Sequence, residues 1–178
     1  MRKAANSLDR AIHEEVRLAP YSDAWLSIFV AERDRLLKLF PQLLQVEHFG
    51  STAIPGMPAK PIIDILAGVE SMAVAEALVE PVLACGYTTS AEFNATLPDR
   101  RWFMRSAAGR RTHHLHVVVC RGRQWEERLR FRDILRSDAD LAQQYAELKS
   151  HLAVKHRNDR EAYTEAKYRF VASVLAAV

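Results

Sequence analysis

Cysteine is nearly missing from this chain. Cys85 and Cys120 stand far apart with no C-x-x-C pairing, which excludes a disulfide scaffold and predicts free, buried thiols in a reducing cytoplasm. No apolar run approaches the ~20 residues needed to cross a bilayer, so no membrane association is expected. The opening M-R-K-A-A-N-S-L-D-R is basic but has no apolar stretch behind it, so no signal peptide is expected. Those first residues should be poorly tied down. Internal repeats and low-complexity segments are also missing. Aromatic residues are thin where arginines crowd: Arg100, Arg101, Arg105, Arg110, Arg111, Arg121 and Arg123 have only Trp102 and Phe103 among them. That disfavours nucleic acid as a partner and favours a small phosphorylated ligand, which a guanidinium fork suits. Each arginine taken singly could equally belong to a solvated basic face.

What is present is ordinary in amount and telling in placement. A chain of 178 residues, 49% hydrophobic and with a net charge of +3, predicts one domain over residues 1–178. A core over about residues 14–122 would precede helices over about 124–178. Val16 and Leu18 could form a short edge strand. Ser22 is placed to cap a helix reaching about Phe40, with Trp25, Ile28, Phe29, Leu36, Leu37 and Phe40 inward and Pro41 as its stop. Strands are expected around 45–49 and 61–69, then a helix from Met72 to about Cys85 ended by Gly86. Residues 87–98 read as loop or weak strand. Residues 101–106 and 112–120 read as a hairpin turning near Gly109. Three helices should follow, the last opened by Asn158 with Glu161 as a capping box. A central mixed sheet with helices before and after it is an α+β arrangement.

The stretch H-F-G-S-T-A-I-P-G-M-P-A-K-P-I-I-D-I-L, from His48 to Leu66, carries the most chemistry. Gly50 and Ser51 follow an apolar run, where small residues let the backbone approach an anion. Pro55, Gly56, Pro58 and Pro61 stiffen the connection that follows. Asp64 then lies among Ile62, Ile63, Ile65 and Leu66, an expensive place for a carboxylate unless it is paired, ligates a metal or sits at an open strand end. A Gly-Ser turn is also common without any ligand. Together, though, the turn and Asp64 would meet where a nucleoside triphosphate and its metal ion belong.

Farther on, T-H-H-L-H-V-V-V places His114 and His116 on one strand face, with His113 and Leu115 on the other. Two imidazoles side by side can ligate a metal, move a proton or bind phosphate. If this strand neighbours that of Asp64, the three converge, and His48 could join them. His13, His151 and His156 read as surface residues. A histidine-triad hydrolase would want a third alternating histidine, where Val118 stands.

These motifs resemble the GrpB-like family of bacterial proteins. The resemblance runs over nearly the whole chain, through P-Y-S-D-A-W at 20–25, H-F-G-S-T-A-I-P-G-M-P-A-K-P-I-I-D-I, H-H-L-H-V-V at 113–118, F-R-D-I-L-R at 131–136 and D-R-E-A-Y-T-E-A-K at 159–167. A similar domain occurs fused to dephospho-CoA kinase. The resemblance implies a polymerase-β-like nucleotidyltransferase core, in which a Gly-Ser turn holds the triphosphate and a D-x-D strand with a third, later carboxylate binds two metal ions. Gly50 and Ser51 match that turn and Asp64 the first carboxylate. Leu66 stands where the second belongs, and the later strand offers His114 and His116.

Two functions follow as expectations. One is a metal-dependent nucleotidyltransferase acting on a nucleoside triphosphate and a small acceptor. In it Gly50, Ser51 and Thr52 cradle phosphates, Lys60 and Arg101 neutralise them, and Asp64, His114 and His116 catalyse. Those three residues, with His48, would hold a divalent ion (Mg²⁺, Mn²⁺ or Zn²⁺), and Lys167 is an additional phosphate contact. The other is a non-catalytic nucleotide- or CoA-related binding module that has lost its two-metal site. A protein-interaction role for the basic hairpin 100–111 is a third. Acceptor, base and oligomeric state are not encoded legibly.

Overall fold

Alternation of side chains along four strands decides where everything else packs. A computed structural model describes residues 15–177; the N-terminal segment and His13 lie outside them. In chain order these residues form α1 (Ala24–Leu39), β1 (Gln45–Phe49), a 3-10 turn (Ser51–Ala53), β2 (Ile63–Val69), α2 (Met72–Ala77), α3 (Val79–Ala84) and α4 (Ala91–Ala95). Then come β3 (Arg100–Ala107), β4 (Arg110–Val119), α5 (Arg123–Ser137), α6 (Ala139–Lys155) and α7 (Arg160–Ala176). The sheet order is β1-β2-β4-β3, with β2 and β4 parallel and both outer pairs antiparallel. The architecture is α+β, as expected. Among the described residues no helix is long and apolar enough to cross a membrane.

One sheet face carries Val46, Ile63, Ile65, Ala67, Phe103, Leu115 and Val117, and α1, α2 and α3 cover it with Trp25, Phe29, Leu36, Ala75, Leu78 and Val82. Such side chains each contribute about 1.5–3 kcal/mol when fully buried. The other face is hydrocarbon only in part: Phe49, Leu66 and Val118 meet Trp125 of α5, and the rest is polar. Helices α6 and α7 close over that side, held by Ile54, Met57, Leu135 and Tyr145 and by Val16, Leu152 and Tyr163.

Several local expectations are revised. The segment after Glu15 forms no strand in the sheet; it makes a single bridge, Ala19 to Ala59, and packs Val16 against α6 and α7. In α1, Ile28 and Leu37 are 43% and 39% exposed, while Glu32 takes an inward place. The helix drawn from Met72 to Cys85 breaks at Leu78, because the ring of Pro81 would clash with the carbonyl of Ala77 in a continuous helix. Residues 91–95 form a short helix, capped by Ser90 accepting from Phe93 N at 3.1 Å. The last helix is capped by Asp159, which accepts from Ala162 N at 2.9 Å, one residue after the expected Asn158. Both cysteines are free and half-buried.

Glu32 ties α1 to the hairpin. Its carboxylate is 5% exposed and accepts from Tyr87 Oη at 2.8 Å, Arg35 Nη2 at 3.0 Å and Arg105 Nη1 at 2.7 Å. Burial pushes this carboxyl up, but the hydrogen bonds from Arg35 and Tyr87 and the nearby arginine charges outweigh it and hold it below its ordinary value. Its contribution is therefore complete above the ordinary Glu range and lost as pH falls through the lower folded value. Glu32→Ala should cost about 2–3 kcal/mol in urea unfolding at pH 7. That is less than the ~3–5 kcal/mol typical of a broken buried pair, because both arginines are partly solvated. The gap between variant and wild type should narrow at acid pH.

Candidate functional site

The polar part of the second sheet face opens into a cleft of about 890 Å³, roofed by α5, α6 and α7. Its floor follows from the parallel β2–β4 register, which sets Asp64 opposite His114 and Leu66 opposite His116. The antiparallel register of β1 puts Phe49 beside Asp64, so the chain leaves β1 into the Gly50–Ser51 turn right at the carboxylate. Gly50 sits at φ 72°, ψ −173°. A methyl group there would lie 2.5 Å from Asp64 Oδ2, so both the positive φ and the close approach require glycine.

Asp64 Oδ1 lies 3.0 Å from His114 Nδ1. On the far side of the ring, His114 Nε2 faces Arg160 Nη2 at 3.4 Å and Arg111 Nη1 at 3.5 Å. Guanidinium groups only donate, so Nε2 is the acceptor, and Nδ1 carries the hydrogen that is donated to Asp64. His116 is held well below its ordinary pKa by burial and then by the charges of Arg128, Arg100 and His114, and is neutral. Its ring meets Phe49 edge-on at 5.2 Å.

The walls are basic. Lys149, 1% exposed, donates to the carbonyl of Pro58 and lies 5.2 Å from the Tyr145 ring centre. Lys60 and Lys167 flank the Tyr163 ring at 5.0 and 4.3 Å. Burial, then the neighbouring Lys167, pushes Lys149 down to about 7, and burial pushes Lys167 down to about 8, with Asp64 partly opposing both. The Tyr145 hydroxyl is also raised by burial. Arg100, Arg123, Arg128, Arg132 and Arg160 line the same cleft, against the acids Asp64 and Glu127.

Of the residues singled out from sequence, Gly50, Ser51, Thr52, Lys60, Asp64, His114, His116 and Lys167 all border this cleft. Thr52 turns its hydroxyl inward, donating to the Ile62 carbonyl at 3.4 Å and accepting from His48 Nε2 at 2.9 Å. His48 lies on the opposite sheet face, stacked on Phe29 at 4.7 Å and pushed down to about 4 by burial. It does not join Asp64. Arg101 is likewise on the other side, bound to Glu76 at 2.5 Å and to the Leu97 carbonyl at 2.8 Å. The reason is a bulge after Arg105: Ser106 pairs with Arg111 but Arg105 with His113, and this extra residue turns Arg100 and Trp102, not Arg101, toward the histidine face. Arg128, Lys149, Tyr145 and Tyr163 were not singled out, because nothing in a helical sequence marks the residue that will roof a distant strand.

The donors do not fit the expected metal site. Leu66, at the second-carboxylate position, is completely buried in hydrocarbon. Among the described residues no three His, Cys, Asp or Glu side chains converge to hold an ion. Two divalent ions need several anionic ligands, and this cleft is dominated by cations.

The model of the family described as GrpB protein matches residues 15–177. The chain belongs to the GrpB family. It is 36% identical over 170 residues to the glutamate-rich protein GrpB of Alkalihalophilus pseudofirmus, covering 90% of this chain and 94% of that one. Against the UPF0157 protein YqkA of Bacillus subtilis it is 35% identical over 158 residues, covering 88% of this chain but 45% of YqkA. A dephospho-CoA kinase of Mycolicibacterium paratuberculosis is 34% identical over 181 residues, which is 85% of this chain and 43% of the kinase. The chain thus spans less than half of these two longer relatives. Among solved structures, the conserved protein GrpB of Enterococcus faecalis superposes with a TM-score of 0.80 at 32% identity, over 90% of this chain and 96% of that one. The Cid1 poly(U) polymerase superposes at 0.51 and 15% identity, over 83% and 49%. This GrpB-family chain therefore has a nucleotidyltransferase fold.

Gly50→Ala tests the join between turn and carboxylate. It should cost about 1–3 kcal/mol from backbone strain and displace Asp64. Faster solvent exchange of the His114 Nδ1 proton, followed by NMR, would report the displacement.

Proposed function

We propose that the cleft binds a nucleotide or another phosphorylated small molecule, and that lysine side chains neutralise it in place of a pair of metal ions. The observation that carries this is the convergence, in one cleft, of the Gly50–Ser51 turn with Lys60, Lys149 and Lys167. Desolvated cations strengthen electrostatics toward an anion, and Lys149 and Lys167 are ones the fold has already stripped of much of their water. The likeness to a dephospho-CoA kinase fits a ligand of nucleotide or CoA-related chemistry.

A second reading, nucleotidyl transfer, is favoured by one contact. Asp64 fixes the His114 ring with Nε2 as the basic nitrogen, the arrangement that lets an imidazole accept a proton. In that reading an acceptor oxygen attacks the α-phosphorus, its proton passes to His114 Nε2, and pyrophosphate leaves. Arg160 would have to turn from His114 to the phosphates.

Calorimetry with ATP separates the readings. A binding module predicts affinities within about twofold in EDTA and in Mg²⁺; loss of binding in EDTA would restore a metal requirement. Asp64→Asn should preserve or strengthen ATP binding, since it removes a like charge, while abolishing any turnover.

The lysines also set a pH dependence. Folded values of about 7 and 8 lie below the ordinary 10.5, so the folded protein holds fewer protons than the unfolded chain in that interval. An anion beside them favours the protonated forms. ATP binding at pH 8 should take up protons, detected as a dependence of binding heat on buffer ionisation enthalpy. Affinity should fall as pH rises from 7 to 9.

A further inference from the structure

Among the described residues, four buried side-chain nitrogens have no hydrogen-bond partner: Arg100 Nε, His113 Nε2, His116 Nδ1 and Arg128 Nε. Three of the four line the cleft. Buried polar atoms in folded proteins are nearly always satisfied, and each exception demands a reason. Three exceptions, on residues from three elements that all line one cleft, have a common reason.

Their neighbours supply little counter-charge. Arg128 gives Nη2 to Gln124 Oε1 at 2.9 Å and lays its guanidinium over Phe49 at 5.4 Å. Burial, then Arg100, pushes it down to about 10. The acid nearest Arg100 in sequence, Asp99, is engaged by Gln124 at 2.7 Å and Arg123 at 3.4 Å. Asp64, Asp99 and Glu127 act on Arg128, and Asp99 on Arg100, as background charges without a hydrogen bond. Two guanidinium groups therefore repel each other across a neutral imidazole.

The cluster is also set apart from the Gly50–Ser51 turn. Gly50 lies one residue beyond the Phe49–Asp64 pair, on the side toward Ile63, whereas His116 is level with Leu66. Three residues of strand separate the two levels, about 10 Å of backbone, with Asp64 and His114 between them.

We propose that Arg100, Arg128 and His116 form a second anion subsite, and that the ligand carries two anionic groups held apart by a spacer, one at the Gly50–Ser51 turn and one here. The inference rests on the phosphate-binding reading of the cleft and narrows it to a bis-anion, of which a nucleoside bisphosphate is the type. Arg100 and Arg128 supply charge and the fork geometry that phosphate oxygens take. His116 lies in the same stretch of the cleft wall.

Calorimetry on the full chain with two probes, adenosine 5′-monophosphate and adenosine 3′,5′-bisphosphate, tests this. The bisphosphate should bind at least tenfold more tightly. Arg100→Gln should bring that ratio to about one, and Arg100→Lys, which keeps the charge, should retain part of it. Thermal melts establish that both variants fold. As a readout independent of the variants, the His116 ring ¹⁵N signals of the wild type should shift with the bisphosphate and much less with the monophosphate. If the monophosphate binds and the bisphosphate does no better, or if Arg100→Gln weakens both alike, the second subsite is overturned while the phosphate-binding reading stands. If neither nucleotide binds, both fall.

Discussion

Parallel hydrogen bonding between β2 and β4 is the constraint on which the cleft depends. That one register places Asp64 against His114 and keeps His116 level with a buried leucine. It is held from behind: Ile63, Ile65, Leu115 and Val117 share the opposite face and are wholly sunk in the core. A slip of β2 by one residue would drive Ile63 and Ile65 toward the cleft and the carboxylate into hydrocarbon. The apolar side of the sheet thus positions the polar side, though none of those four residues lines the cleft.

The cations over this floor are held under tension. Rings take some of the load, with Tyr163 between Lys60 and Lys167, Tyr145 under Lys149 and Phe49 under Arg128. Such contacts contribute about 0.5–2 kcal/mol each, less than the several kcal/mol that desolvating a charge costs. The remainder shows as lowered proton affinity at Lys149, Lys167 and Arg128. A fold that merely covered its sheet would use leucines in these places. Retaining desolvated lysine and arginine beside an aspartate makes sense when an anion completes the charge balance.

Much of this was legible because it is periodic. The two-residue alternation of H-H-L-H, the isoleucine run around Asp64 and the Gly-Ser turn each predict local geometry, and the strands they belong to proved adjacent. What failed was decided by single irregularities. One bulge after Arg105 exchanged Arg100 for Arg101, and one proline split a helix at Leu78. His48, two residues before the turn, points to the wrong face because alternation places it there with Val46 rather than with Phe49. The roof was illegible for a different reason. Lys149, Arg128 and Tyr163 sit on helices whose docking depends on Met57, Leu135 and Val16, contacts between parts of the chain that no local pattern relates.

The cleft is built from widely separated parts of the chain: its turn comes from residues 50–52 and its outer wall from Arg160–Ala176. A growing polypeptide on the ribosome displays the Gly-Ser turn, the aspartate and the histidines long before Tyr163 and Lys167 have been added. On the proposed reading, ligand capture therefore waits until residues 160–176 have been made, and a nascent fragment released earlier would carry the floor of the site with no walls to retain anything on it.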